Sequence, residues 1–358
     1  MGNKLVAVRE RRRVNSTAKR SSKSAKSISL DGKKPPLTFG KDPTLKREDY
    51  IVAKQINSTI VKRPGTVNGQ QFLIEDCRHT NVFVLDHCTS VQIDECHDCT
   101  VFIGPCMASL FLRNCTSTTV VCVVQQFRTR DCDNMDIALF CTTAPIIESS
   151  RRLRIRPFAS AYMGLQHQLD AAKFSVWDNK WSEIFDFTPN GSDGNWGIGT
   201  PGPSDVLAKL PPEVIAEVGY TEDSSIVPFV HGLLARVPNN VVFVCVSTGS
   251  SEVALQLIEA ALAAGDAAPK LIQTRKFRIS PAQAKSLFGA QATIHIKNAV
   301  EKGNTGIIAM EWATTEEVVR ALVAHESFQH YAAALYVEAG SGAAAKIDLC
   351  WNEWKEVI

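Results

Sequence analysis

Between Phe72 and Ile155 a short β-rich run recurs every nine or ten residues, and most of these runs close on a cysteine. The runs ending at Cys77, Cys88, Cys96, Cys106 and Cys115 are followed by one ending at Cys132 and by Ile137-Ala-Leu-Phe-Cys141. A unit this short cannot bury a core of its own, so neighbouring units must cover its apolar side. Stacked coils of a parallel β-helix meet that demand. The cysteines then stack as small buried residues at corresponding corners, which explains why nine of the eleven fall between Cys77 and Cys141. Cys96-His97-Asp98-Cys99 is a C-x-x-C, but no second ligand pair follows at a finger-like spacing, so no metal is expected. No apolar signal segment precedes the cysteines, and no stretch approaches the roughly 18 to 20 apolar residues of a membrane-spanning helix, so reduced thiols are expected.

One run breaks the apolar pattern. Thr119 to Cys132 reads Thr-Val-Val-Cys-Val-Val-Gln-Gln-Phe-Arg-Thr-Arg-Asp-Cys. By alternation Gln126, Arg128 and Arg130 share one face of an extended strand, and Gln125, Phe127 and Thr129 share the other. Two readings are open: a solvated strand face, or a row of polar side chains that a rigid strand holds out for docking.

The net charge of +2 conceals an asymmetry. Residues 1 to 36 carry eleven Lys or Arg against Glu10 and Asp31, which leaves the remainder near −7. This tail has almost no aromatics and is expected to be disordered. Its glycine at position 2 sits where N-myristoylation needs one, although Val6 replaces the Ser or Thr of that motif. An acyl chain on Gly2 together with the basic segment would form a two-signal anchor to an anionic membrane surface. Without aromatic interleaving, specific nucleic-acid binding is not expected. Thr188 to Pro203 holds five Gly and three Pro and reads as an interdomain linker. After Asn239, strands and helices alternate in a βαββαβ order, which predicts a ferredoxin-like α/β sandwich. Its last helix, Thr314 to His325, opens on a Thr-Thr-Glu-Glu capping sequence, and Tyr331 to Glu338 is its closing strand.

Three stretches together carry a specific resemblance. Gln125-Gln126-Phe127-Arg128-x-Arg130-Asp131-Cys132, then Pro145-Ile-Ile-Glu148-Ser-Ser150, then Trp181-Ser-x-Ile-x-Asp186-Phe187-Thr188-Pro189 resemble the retinitis pigmentosa protein two family. That family shares its β-helix with tubulin-folding cofactor C. The resemblance implies a multidomain chain: a basic tail (1–40), a right-handed parallel β-helix (41–190), a linker (191–238) and a nucleoside diphosphate kinase-like α/β domain (239–358). It also implies a GTPase-activating protein for a GTP-bound Arf-like small GTPase, with GTP and Mg²⁺ held by the partner and no cofactor of its own. Arg128 matches the arginine finger and Gln126 the motif glutamine. Gln125, Phe127, Ala108, Ser109, Glu148 and Phe187 match positions that face the GTPase, with Ala108 standing where family members often have glycine. Cytoplasmic peripheral membranes, at the ciliary or flagellar base or the plasma membrane, are the implied location. Tubulin is the alternative partner, in a cofactor-like or GTP-sensing role. The kinase-like domain offers His295, His325 and His330 as nucleophiles, but none lies in an Asn-x-x-His-Gly-Ser-Asp context and the first strand has no lysine. An interaction module is expected there in place of phosphotransfer.

Overall fold

The computed structural model describes residues 45–190, 194–199, 206–219, 226–237, 240–247, 251–263, 269–289, 306–324 and 335–354. The tail with Gly2, and His295, His325 and His330, lie outside the described residues. Residues 51–198 build a solenoid whose strands pair in parallel along two faces. One face stacks Ile51–Ala53, Phe72–Glu75, Val91–Asp94, the ends of Thr100–Arg113 and Thr119–Arg130, then Ile146–Glu148 and Phe185–Asp186. The other stacks Thr59–Lys62, Asn81–Val84, the beginnings of the same two long strands, then Asp133–Cys141, Arg151–Pro157 and Trp196–Ile198.

The corners explain the spacing. Pairs of left-handed residues recur at Lys54/Asn57, Asp76/His79, Glu95/Asp98, Asn114/Ser117, Asp131/Asn134 and Ser149/Arg152, one pair per coil. Asn and Asp visit this region at lower cost than most residues, because a short polar side chain can bond locally. A coil therefore spans about two of the runs read from the sequence. Between the left-handed residues sit Cys77, Cys96, Cys115 and Cys132. Each thiol bonds back to the carbonyl two residues earlier, at 3.5, 3.4, 3.2 and 3.4 Å. Ser150 takes the next place and bonds to Glu148 O at 2.9 Å. The position thus selects a small side chain with a donor. Cys88, Cys106 and Cys141 line the opposite wall, where Cys88 pairs with Cys106 and Val124 pairs with both Cys106 and Cys141. There are two cysteine columns where one was expected. All eleven cysteines are free and buried.

One face is covered. The helix Leu165–Ala171 and the segment from Val206 to Val218, which contains the helix Pro212–Val218, pack with Val227 over Phe83, Leu85, Phe102, Val121, Val123 and Phe140. Part of the expected linker is therefore a packed layer. Gly104 permits the close approach of the neighbouring coil and of this layer: a Cβ there would lie 2.6 Å from Asp86 O and 3.1 Å from Gln168 Oε1 and the Tyr162 hydroxyl. Gln168 fastens the layer by donating to Leu85 O at 2.9 Å and accepting from Tyr162 at 2.6 Å. Trp177 and Trp181 are buried at the solenoid's end, and the Trp181 ring N–H donates to Val230 O at 3.1 Å.

The C-terminal region is an antiparallel sheet in the spatial order Lys270–Arg278, Gly306–Ala313, Val241–Ser247, Leu335–Ala339. Ser251–Leu262 and Glu316–Val323 cover one face, with Val242, Val244, Ile308 and Met310 beneath them. Pro281–Phe288 and the additional helix Gly340–Asp348 cover the other, over Phe243, Cys245, Ile307 and Ala309. The chain thus continues into a helix past the strand expected to close it. Thr315 makes no side-chain cap bond, whereas Ser280 and Gln283 form a full capping box. Thr274 Oγ1 donates to Trp177 O at 2.7 Å and Lys276 N to Asp178 Oδ1 at 2.9 Å, joining the sheet to the solenoid's end. No described helix is long and apolar enough to cross a membrane.

Candidate functional site

The second solenoid face is open, and its outward residues form two columns. Gln92, Phe111, Arg128, Ile146 and Phe185 occupy one, and Asp94, Arg113, Arg130 and Glu148 the other. Most cations here are engaged. Arg113 is held on Asp94 through two bonds of 2.7 and 2.6 Å, reaches Gln92 at 3.2 Å, and lies over the Phe111 ring at 5.1 Å. The bond to Asp94 raises the Arg113 pKa further. Arg130 stands 3.4 Å from Asp131 and 4.0 Å from Glu148. Arg128 is different: it is exposed and forms no hydrogen bond or ion pair with a described residue. Its strand is paired on both sides, to Phe111 on the previous coil and Ile146 on the next. A guanidinium whose five donors meet no described partner is thereby held out on a backbone that cannot easily move. One register step earlier, Gln126 is half-buried and its Oε1 accepts from Ser109 Oγ at 3.1 Å.

The expected site residues separate on inspection. Gln126, Arg128, Ser109 and Glu148 lie on the open face, and Phe187 extends it with an exposed ring, its backbone N–H donating to Ile147 O at 2.9 Å. Ala108 is half-buried on the preceding coil, with its N–H bonded to Thr89 O at 2.9 Å. Phe127 does not shape the surface. It is 1 % exposed and packs inside the solenoid, because alternation on a strand with one apolar side sends it inward. Gln125, expected to share Phe127's side, is exposed. The strand leaves Asp133–Cys141 after Val124 and joins Ile146–Glu148 from Arg128, and Gln125 lies at that bend with its carbonyl accepting from Thr143 N and Oγ1 at 3.1 and 2.8 Å.

Phe185 was missed by sequence reasoning. It is 55 % exposed, follows Ile146 in Arg128's column, and meets Phe187 edge to face at 4.8 Å. The Phe-x-Phe alternation was the available signal. Among the described residues no group of three or more His, Cys, Asp or Glu is placed to hold a metal. Burial pushes the Cys106 thiol up to about 12 and the Cys141 thiol up to about 11, so both stay protonated and unreactive near neutrality.

Comparison with known proteins gives this face a context. Residues 69–187 match the family described as "Tubulin binding cofactor C". Protein XRP2 of Danio rerio is 36 % identical over 151 residues, covering 42 % of this chain and 40 % of the relative. Protein XRP2 of Homo sapiens is 34 % identical over 151 residues, covering 42 % and 43 %. Tubulin-specific chaperone C of Bos taurus is 21 % identical over 145 residues, covering 40 % and 42 %. Among solved structures, tubulin binding cofactor C from Leishmania major aligns with a TM-score of 0.30 and 17 % identity, over 42 % of this chain and 89 % of that one. The chain spans half the length or less of the XRP2 proteins it matches. It resembles the XRP2-like family, and the matched region, residues 69–187, is the one that builds the open face around Arg128.

Proposed function

We propose that this chain activates an Arf-like small GTPase in trans, with Arg128 as the arginine finger. The observation that carries the reading is an exposed arginine without a partner among the described residues, held on a doubly paired strand where neighbouring arginines are neutralised. In phosphoryl transfer through a loose transition state, a guanidinium brought from outside neutralises charge that develops on the phosphate oxygens. Gln126 orients the finger or the partner's water-positioning side chain. The partner holds GTP and Mg²⁺, and the chain completes the partner's site without being a hydrolase itself. Glu148 and Phe187 lie around the finger as docking residues. The C-terminal sheet, with the strand order of a ferredoxin-like domain, is read as a nucleoside diphosphate kinase-like interaction module. An acylated Gly2 and the basic tail would bring the activator to a membrane at the ciliary or flagellar base or the plasma membrane, where lipidated cargo is discharged. Gly2→Ala should then move the protein into the soluble fraction, and unchanged fractionation would remove the anchor.

A tubulin reading is favoured by one observation, that the matched family is described as a tubulin binding cofactor. Single-turnover GTP hydrolysis with candidate GTPases, using the native chain and Arg128→Ala beside a binding assay, separates the two. Acceleration lost in Arg128→Ala while binding survives supports the finger. GTP-dependent binding without acceleration makes the chain a sensor of the GTP state, with tubulin the next partner to assay.

A further inference from the structure

Gln126 is held by one contact that the finger reading does not require. Ser109 and Gln126 are register partners on adjacent coils, and Ser109 Oγ donates to Gln126 Oε1 at 3.1 Å. Both side chains are half-buried, and both lie on strands paired through the solenoid. A primary amide has two faces of opposite polarity, an acceptor oxygen and a donor NH₂. An unrestrained glutamine on an open strand face exchanges these two and samples several rotamers. We infer that Ser109 is a positioning residue for Gln126. By occupying the carbonyl oxygen it turns the amide NH₂ outward, toward the space beside Arg128 where a docked partner must present its reacting groups. Ser109 thereby acts through Gln126, a role distinct from direct contact with the partner. The glutamine itself can stay a flexible residue, because the neighbouring coil supplies the restraint. This inference rests on the GTPase-activator reading for its consequence, but not for the geometry.

The geometry predicts a measurable order. In the full chain labelled with ¹⁵N-glutamine, the side-chain NH₂ signal that disappears in Gln126→Ala belongs to Gln126. Ser109→Ala should shift that signal toward the positions of free glutamine amides and speed its hydrogen exchange, while Ser109→Thr, which keeps the hydroxyl, should hold it near the native position. In single-turnover hydrolysis at saturating chain, Ser109→Ala should lower the activated rate about threefold to tenfold, the scale of one lost hydrogen bond. The half-saturating concentration should stay the same, Ser109→Thr should restore the rate, and Ser109→Ala should have no further effect in a Gln126→Ala background. An unchanged amide signal in a folded Ser109→Ala protein overturns the positioning role whatever the GTPase does. A shifted signal with an unaltered activated rate overturns its catalytic consequence. If the native chain accelerates no GTPase yet the signal responds as described, the activator reading fails and the Ser109 restraint on Gln126 stands.

Discussion

The two faces of the solenoid are built from the same coils, yet one is sealed and the other is open. On the sealed face the outward residues are Phe83, Leu85, Phe102, Val121, Val123 and Phe140, and a layer of helix and chain covers them. On the open face the corresponding outward positions hold Gln92, Arg128, Arg113, Arg130 and Glu148, with Phe111 and Ile146 among them. The inward positions of both faces are apolar almost throughout, with the buried Thr129 an exception on the open face. The hydrophobic effect acts on the inward positions alike, so the stack forms whichever residues point out; the outward residues decide only whether a face is covered or left to meet another molecule. A stable scaffold and an exposed charge are therefore separate properties of one repeat.

That separation is broken or sharpened by substitution. Arg128→Ala should cost about 10³ to 10⁵ in activated GTP hydrolysis, and should move the unfolding free energy by less than about 0.5 kcal/mol, as for other exposed sites. A large loss of stability would mean that Arg128 belongs to the scaffold. On the sealed face the expectation inverts. Phe102→Ala removes a ring that is fully buried and packs edge-on against Tyr162 at 5.7 Å, and urea unfolding should report a loss of about 3 to 5 kcal/mol. Arg128 in that variant should still accelerate hydrolysis wherever the protein remains folded. Phe185→Ala, at the apolar end of the open face, should weaken partner binding by about 1 to 2 kcal/mol in titration calorimetry with little change in the saturated rate. Met163→Ala, at a still more exposed side chain on the covering layer, should change neither.

The inward pattern was legible in the sequence because cysteine after an acid or amide marks a left-handed corner, as at Asp76-Cys77 and Asn114-Cys115. The alternation Gln126, Phe127, Arg128 likewise gave the directions of those three side chains correctly. Gln125 escaped it because a period of two holds only along one straight strand, and this strand bends there. The covering layer was illegible for a related reason: its helix Pro212–Val218 has seven residues and follows a Gly- and Pro-rich stretch, so nothing local distinguishes it from linker. Its order comes from the aromatic floor beneath it. Phe185 belongs to a two-residue strand, too short to announce itself, and its place beside Ile146 exists only in the stack.

The smallest expected effect lies where the cover ends. Asn81, Thr100, Thr119, Asp136 and Arg154 form a polar column on the sealed face's side of the solenoid, each in register with the next. Arg154 bonds Asp136 through Nε and Nη2 at 2.6 and 2.8 Å, and this bond, with the charge of Arg156, holds the Asp136 carboxyl below the usual carboxylate range. A carboxyl whose folded pKa is lowered adds stability above its unfolded value of about 3.9 and loses it as pH falls through the folded value. Both side chains are nearly half exposed, so the screened pair should contribute only about 0.2 to 1 kcal/mol. Urea midpoints for the native chain and Asp136→Asn should therefore differ slightly at about pH 7 and converge once the pH has fallen below the folded value, where the carboxyl is protonated in both states. A gap that persists in acid would show that Asp136 acts through its shape and neutral hydrogen bonds, and the column would then belong to the packed scaffold instead of its solvated rim.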